Sequence, residues 1–218
     1  DAVNDAKLEA MAAERLTRAQ LRRPSKARYI AMIAMSAAVG GVLMSLEIPL
    51  FFAPSFYQLD FSELPVLITS FYLGPVAGVV TEFVKVVVKL LLKGTSTAFV
   101  GHFANFVVGC SLVLPASIVY YIKKSKKSAM LGLGLGTVIM TIFGSAFNAL
   151  YLLPKFAELY GISMEAIIGM GTAVNAGIDS VWTLVFFAVV PFNILKGLIV
   201  SVVTLLLYKH ISPILKRN

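Results

Sequence analysis

Charge is scarce in this chain. Asp, Glu, Lys and Arg make up 14% of its 218 residues and apolar side chains 58%, with a mean hydropathy of +0.86, whereas a soluble globular domain carries about 25% charged residues. So little polar surface cannot clothe a water-soluble body, which excludes a compact soluble enzyme and, equally, a disordered chain. The single cysteine, Cys110, rules out an intrachain disulfide. His102 and His210 are too few for a metal cluster, so no metal site is expected. There is no G-x-x-x-x-G-K-[ST] phosphate loop, so ATP hydrolysis by that route is excluded. There is also no H-E-x-x-H, no paired Asp-rich motif and no serine nucleophile with a fitting histidine partner. No catalytic residue is assigned, and a membrane enzyme stands as a weaker alternative class.

What the chain does have is apolar tracts, enough for a polytopic all-α membrane protein. At about 20 residues per span, six transmembrane helices are expected. The first runs over Tyr29 to Leu46, followed by a short one over Ser62 to Leu73. Val76 to Leu92 comes after the Gly74-Pro75 break, then Phe103 to Ile122, then Ala129 to Leu153, which Pro154 would end, and finally Phe186 to Tyr208. The mixed stretch from Lys155 to Val181 is long enough for a surface helix. Residues 1–27 read as a basic amphipathic cytoplasmic extension, 28–210 as the six-helix membrane domain with an outward-facing pocket, and 211–218 as a basic cytoplasmic tail.

The net charge of +8 would raise nucleic-acid binding in a soluble domain. Here its placement argues otherwise. Lys7, Arg15, Arg18, Arg22, Arg23, Lys26 and Arg28 precede the first tract, Lys123, Lys124, Lys126 and Lys127 share one loop, and Lys209, Lys216 and Arg217 end the chain. The opposite loops offer only Lys93 and Lys155. By the positive-inside rule both termini are expected in the cytoplasm, with the lipid bilayer and no nucleic acid as surroundings.

Three groups of residues stand out within the spans. Ala27, Ala31, Ala34, Ala38, Gly41 and Ser45 form a stripe of small residues about 27 Å long on the first helix. Small residues let a second backbone approach closely, whether within this chain or from a separate protein. Glu82, Lys85 and Lys89 share one face of the third helix, where a structural Glu82–Lys85 pair or lysines reaching toward the interface are the competing readings. Asn193 and Lys196, in VVPFNILKG, lie a turn inside the outer end of the last span, and Asn148 lies at a similar depth in SAFNALYLLP. Polar groups from separate helices at one depth, beside an outer loop rich in aromatics and prolines, describe a pocket for a flat, hydrogen-bonding molecule. Asn105 and Asn148 as helix bridges, and Phe52, Phe56 and Tyr57 as interfacial anchors, remain the structural alternatives.

Four phrases in order, FFAPSFYQLDFSELPVL, FYLGPVAGVVTEFVK, GHFANFVVG and PFNILKG, resemble the riboflavin-specific substrate-binding (S) subunits of energy-coupling factor (ECF) transporters, from about Tyr29 to the chain's end. The resemblance implies a multi-pass protein of the bacterial cell membrane that captures a vitamin from outside. It also implies assembly with a transmembrane coupling subunit and two cytoplasmic ATPase subunits. Riboflavin or a related flavin would be cargo, with no cofactor. Carried over by motif, Asn148, Asn193 and Lys196 would meet the isoalloxazine edge. Leu59, Asp60 and Glu63 from the first outer loop, and Thr97, Phe99 and Gly101 from the second, with Asn105, would close over the ligand. Ala31, Ala34, Ala38 and Gly41 would dock the coupling subunit. The same architecture with another vitamin, and a self-sufficient facilitator, stay open beside this reading.

Overall fold

The computed structural model describes residues 2–21 and 24–215. Asp1, Arg22 and Arg23 of the expected extension, and Lys216, Arg217 and Asn218 of the expected tail, lie outside the described residues. The regular structure of the described residues is helical except for one short antiparallel pair, β1 (Ile48–Pro49) with β2 (Gln58–Leu59), in the register Ile48 opposite Leu59. The helices are α1 (Ala2–Leu21), α2 (Lys26–Met44), α3 (Glu63–Leu73), α4 (Pro75–Lys93), α5 (Val100–Ile122), α6 (Lys126–Phe147), α7 (Leu153–Tyr160), α8 (Met164–Thr172), α9 (Val181–Leu184) and α10 (Val190–Leu215). On α1, Leu8 and Met11 are exposed among charges.

The expectation of six transmembrane helices is overturned. Among the described residues, four helices are long and apolar enough to cross a membrane: Lys26–Met44, Val100–Ile122, Lys126–Tyr160 and Val181–Ile211. The two failures have separate causes. α3 has 11 residues and so reaches about 16 Å, half of a hydrocarbon core of about 30 Å. α4 has 19 residues but carries Glu82, Lys85, Lys89 and Lys93, and side chains of that kind at membrane depth need partners from the protein.

Serine caps set the starts of several helices: Ser25 accepts from the Arg28 N–H, Ser125 from Ser128 and Ser163 from Ala166. Gly74, at φ +106°, supplies a turn that no L side chain adopts easily, and Pro75 opens α4 where its missing N–H costs nothing.

Pro154 does not end the fifth span. The helix widens into π geometry over Asn148–Leu152, with the Leu153 N–H bonded to the Asn148 carbonyl, and continues through α7 to Tyr160. A second π segment, Val185–Val189, sits just before Pro191 in the same way. Where the i→i−4 ladder is already interrupted, a proline removes nothing further, so both helices pass their prolines. Periodicity alone does not reveal this.

Two apolar clusters organise the packing. One gathers Val66, Leu67, Phe71, Leu112, Tyr120, Leu133 and Tyr208, with the Phe71 and Tyr120 rings stacked at 4.4 Å between centroids. There α6 lies against the backbone of α5. A Cβ added at Gly132 would stand 2.5 Å from the Ala116 carbonyl oxygen, and one at Gly136 would stand 2.6 Å from that of Leu112. The other gathers Tyr57, Leu59, Leu153, Phe156, Ile178, Leu184 and Phe192, and it surrounds the candidate site.

Candidate ligand-binding site

The two π segments and the loop around β1 and β2 converge on a pair of joined cavities that share Phe56, Gln58, Gly101, Asn105 and Phe156. The inner one, about 140 Å³, is walled by Tyr57, Ala104, Leu152, Val189 and Phe192, with Asn148, Asn193 and Lys196 in its lining. The outer one, about 440 Å³, adds Glu47, Asp60, Lys89, Lys93, Thr97, His102 and Tyr160. This is the size and mixture expected of a small-molecule site: apolar walls with a few placed polar groups.

The polar groups differ in how far their bonds are already made. Asn148 is already engaged at both ends of its amide, since its Oδ1 accepts from the Tyr57 hydroxyl at 2.7 Å and its Nδ2 donates to the Gly144 carbonyl at 2.7 Å. Burial pushes the Tyr57 phenol well above its ordinary pKa, which keeps it a donor. Asn193 Nδ2 and Asn105 Oδ1, by contrast, are buried without a hydrogen-bond partner, an arrangement that costs about 1–3 kcal/mol for each group left unpaired. Gly144 makes room for the Asn193 amide, as a Cβ there would lie 3.0 Å from Nδ2.

Lys196 belongs to a buried lattice of charge. Its Nζ lies 3.2 Å from both Asp60 Oδ2 and Glu63 Oε1. Glu63 Oε1 also meets Lys85 at 3.3 Å, and Lys85 Nζ lies 2.5 Å from Glu82 Oε1. That last contact is a close ion pair, and Glu82 has no other hydrogen-bond donor. Lys85 donates in addition to Ser62 Oγ at 3.0 Å. Three carboxylates thus face two ammonium groups. Burial by itself would raise the Asp60 carboxyl, but Lys196, Lys85 and hydrogen bonds from Ser62 outweigh it and hold the group at about 2.

The site residues expected from sequence fall into separate groups. Asn105 and Gly101 line both cavities; Asn148, Asn193 and Lys196 line the inner one, and Asp60 and Thr97 the outer. Leu59 packs in the surrounding cluster, and Glu63 is buried beneath the site with its carboxylate on the two lysines. Phe99 lines neither cavity; it is more than half exposed, at φ +69°. On α2, Ala31, Ala34 and Ala38 are exposed, whereas Gly41 is buried against Val88 of α4 and belongs to internal packing.

Several lining residues escaped sequence reasoning. Tyr57 and Phe56 face the cavity instead of anchoring an interface, and Phe156 and Tyr160 come from a stretch read only as mixed. The spacing Asn148, Leu152, Phe156 is the signal that was available, since i, i+4, i+8 places all three on one helical face.

A multi-pass membrane chain holding an aromatic cavity with convergent amide and ammonium groups is a membrane-embedded small-molecule binding subunit. The family described as the substrate-specific component of ECF transporters matches residues 28–208, and the chain belongs to that family. It is therefore a transport subunit of the plasma membrane and not an enzyme. Riboflavin transporter RibU of Staphylococcus aureus (strain TCH60) is 36% identical over 185 residues, covering 85% of this chain and 90% of that protein. Riboflavin transporter FmnP of Bacillus subtilis (strain 168) is 30% identical over 189 residues, covering 86% and 94%. A solved structure described as the S component of a bacterial ECF transporter superposes with a TM-score of 0.69 at 35% identity, covering 88% of this chain and 99% of that one.

Proposed function

We propose that this subunit captures riboflavin in the joined cavities and passes it on by docking to a transmembrane coupling subunit served by two ATPase subunits. The observation that carries this reading is the convergence of Asn105, Asn193 and Lys196 on an aromatic cavity, with Asn193 Nδ2 and Asn105 Oδ1 buried beside it without a partner. The uracil-like edge of an isoalloxazine presents carbonyl acceptors and an N–H donor, so one donor and one acceptor on the protein are what it needs. Lys196 keeps its ammonium between Asp60 and Glu63 and retains a third N–H for the ligand. The rings of Phe56, Phe156 and Phe192 supply apolar cover, and the polar outer cavity around Asp60 and Thr97 suits the ribityl hydroxyls. At about −0.3 kcal/mol per heavy atom, the roughly 27 heavy atoms of riboflavin give only about micromolar affinity. Tighter capture rests on pairing those amide atoms and enclosing the ring. The names of the 36%- and 30%-identical relatives support riboflavin as the ligand.

Titration of the purified subunit with riboflavin, followed by flavin fluorescence quenching without ATP, is expected to saturate at one per chain. No saturable quenching by folded protein overturns the assignment. The exposed Ala31, Ala34 and Ala38 face is the proposed docking surface. Ala34→Leu with Ala38→Leu is expected to keep quenching and lose co-purification with the coupling subunit; retained co-purification removes that surface.

A further inference from the structure

On the outside of the bundle, away from the ligand cavity, α6 and α10 leave an apolar groove of about 550 Å³ between Met130, Gly134, Val138 and Ile142 on one side and Leu198 and Val202 on the other. Its polar residues are turned away. Thr137 Oγ1 donates to the Leu133 carbonyl and Thr141 Oγ1 to that of Thr137, so both hydroxyls serve their own helix. Gly134 keeps the floor open: a Cβ there would meet no atom within 4 Å. From Met130 to Ile142 the groove follows α6 for about 18 Å, the length of a fatty acyl chain of roughly fourteen carbons.

The ends of the groove differ in charge. The groove-facing positions on α6 recur at i, i+3, i+4 and i+7, and the same rhythm carried one turn back from Met130 reaches Lys126 and Lys127. On α10, Leu205 lines the groove and the next turn on that face holds Lys209. α6 begins where α10 ends, so helical phase puts all three lysines beyond the same end of the groove, and all three are exposed. No ionisable residue lines the groove itself, and none lies within a turn beyond its opposite end, around Ile142 and Ile194.

We propose that this groove is a binding site for one anionic phospholipid, with an acyl chain along α6 and α10 and the phosphate against Lys126, Lys127 and Lys209. Charge complementarity selects the occupant. An apolar slot alone accepts any lipid tail, while three ammonium groups at its mouth favour a headgroup with net negative charge.

The full chain in neutral detergent, incubated with equal phosphatidylglycerol and phosphatidylcholine and examined by native mass spectrometry, is expected to retain one phosphatidylglycerol with about a fivefold preference. Gly134→Leu fills the floor and is expected to abolish retention at an unchanged melting temperature. Leu198→Trp closes the slot from the other helix and serves as the second variant. Replacing Lys126, Lys127 and Lys209 together by Gln is expected to bring the two lipids to parity. Equal retention of both lipids by the wild type overturns the headgroup site. Phosphatidylglycerol retained by both Gly134→Leu and Leu198→Trp places the lipid elsewhere and overturns the groove. Cross-linking of Val138→Cys to the coupling subunit in the assembled transporter would make that subunit the occupant, and also overturns it.

Discussion

Val66, Leu67, Phe71, Leu112, Val113, Ala116 and Tyr120 at the centre of one cluster have no exposed surface, whereas Tyr57, Ala104, Leu152, Phe156 and Phe192 on the cavity wall each keep a few per cent, with Val189 alone among the wall's apolar buried residues fully covered. Backbone meets backbone through Gly132 and Gly136 in the first cluster; in the second the helices are widened by π turns, and Asn105 and Asn193 are left with unmet bonds. One region has been packed to completion by this chain alone. The other is complete only when something else enters it, and the stability it forgoes becomes binding free energy for whatever does.

The sharpest way to break this comparison is to attack the charge lattice, which has Lys85 fully buried and Lys196 on the cavity wall. Lys85→Met leaves Glu63 and Glu82 buried without their shared cation, and is expected to cost about 3–5 kcal/mol. Thermal unfolding in detergent should fall sharply, with and without riboflavin; an unchanged midpoint means that the lattice contributes nothing to the fold. Next in size, Gly132→Val pushes against the Ala116 carbonyl and is expected to cost about 3 kcal/mol. Added riboflavin should recover part of that loss by mass action, because the site is remote from the damage. Failure of the ligand to raise the midpoint would show that the two regions are not independent.

Acid tests the lattice from its loop side. Asp60 is held at about 2 against an ordinary 3.8, so as pH falls the unfolded chain takes up the proton first. Its contribution, roughly 2 kcal/mol, is complete above about pH 4 and is lost between about pH 4 and 2. Asp60→Asn should remove that part of the pH dependence, and identical acid profiles for variant and wild type would contradict the assignment. The smallest effect separates stability from binding most cleanly. Asn193→Ala deletes the unpartnered amide, so the free protein should unfold at the same temperature or slightly higher, while riboflavin binding weakens by about 5- to 150-fold, the equivalent of about 1–3 kcal/mol. Unchanged affinity would place the ligand edge elsewhere.

The chemistry of the site was more legible in the sequence than its architecture. Asn193 and Lys196 stand three apart on one helical face, and that geometry follows from spacing alone; both line the inner cavity. Asn148 lines the same inner cavity as that pair, but its engagement by Tyr57, 91 residues away in sequence, is a tertiary fact that no local pattern carries. The Glu82–Lys85 pair was visible as i, i+3, whereas Asp60, Glu63 and Lys196 join it only through three-dimensional packing. Gly41 looked like one more member of the small stripe; the rotation of α2 that turns it onto Val88 depends on α4. The expectation of six transmembrane helices failed because segment-by-segment hydropathy credited α4 despite its four ionisable residues, and α3 despite its length.

The π segments also give the subunit a form of adjustment that substitution does not offer. Each widened turn holds about one residue more than an α-helix would over the same rise, a phase difference of about 100°. Removing one residue from Val185–Val189 would let that stretch close into ordinary helix. The flanking helices would keep their direction, because the widened turn already absorbs the extra residue, and Asn193 and Lys196 would hold their phase within α10. What would change is the local width of the backbone where Val189 lines the inner cavity. A change in chain length at such a turn therefore reshapes the cavity wall and leaves the ligand-facing side chains in register.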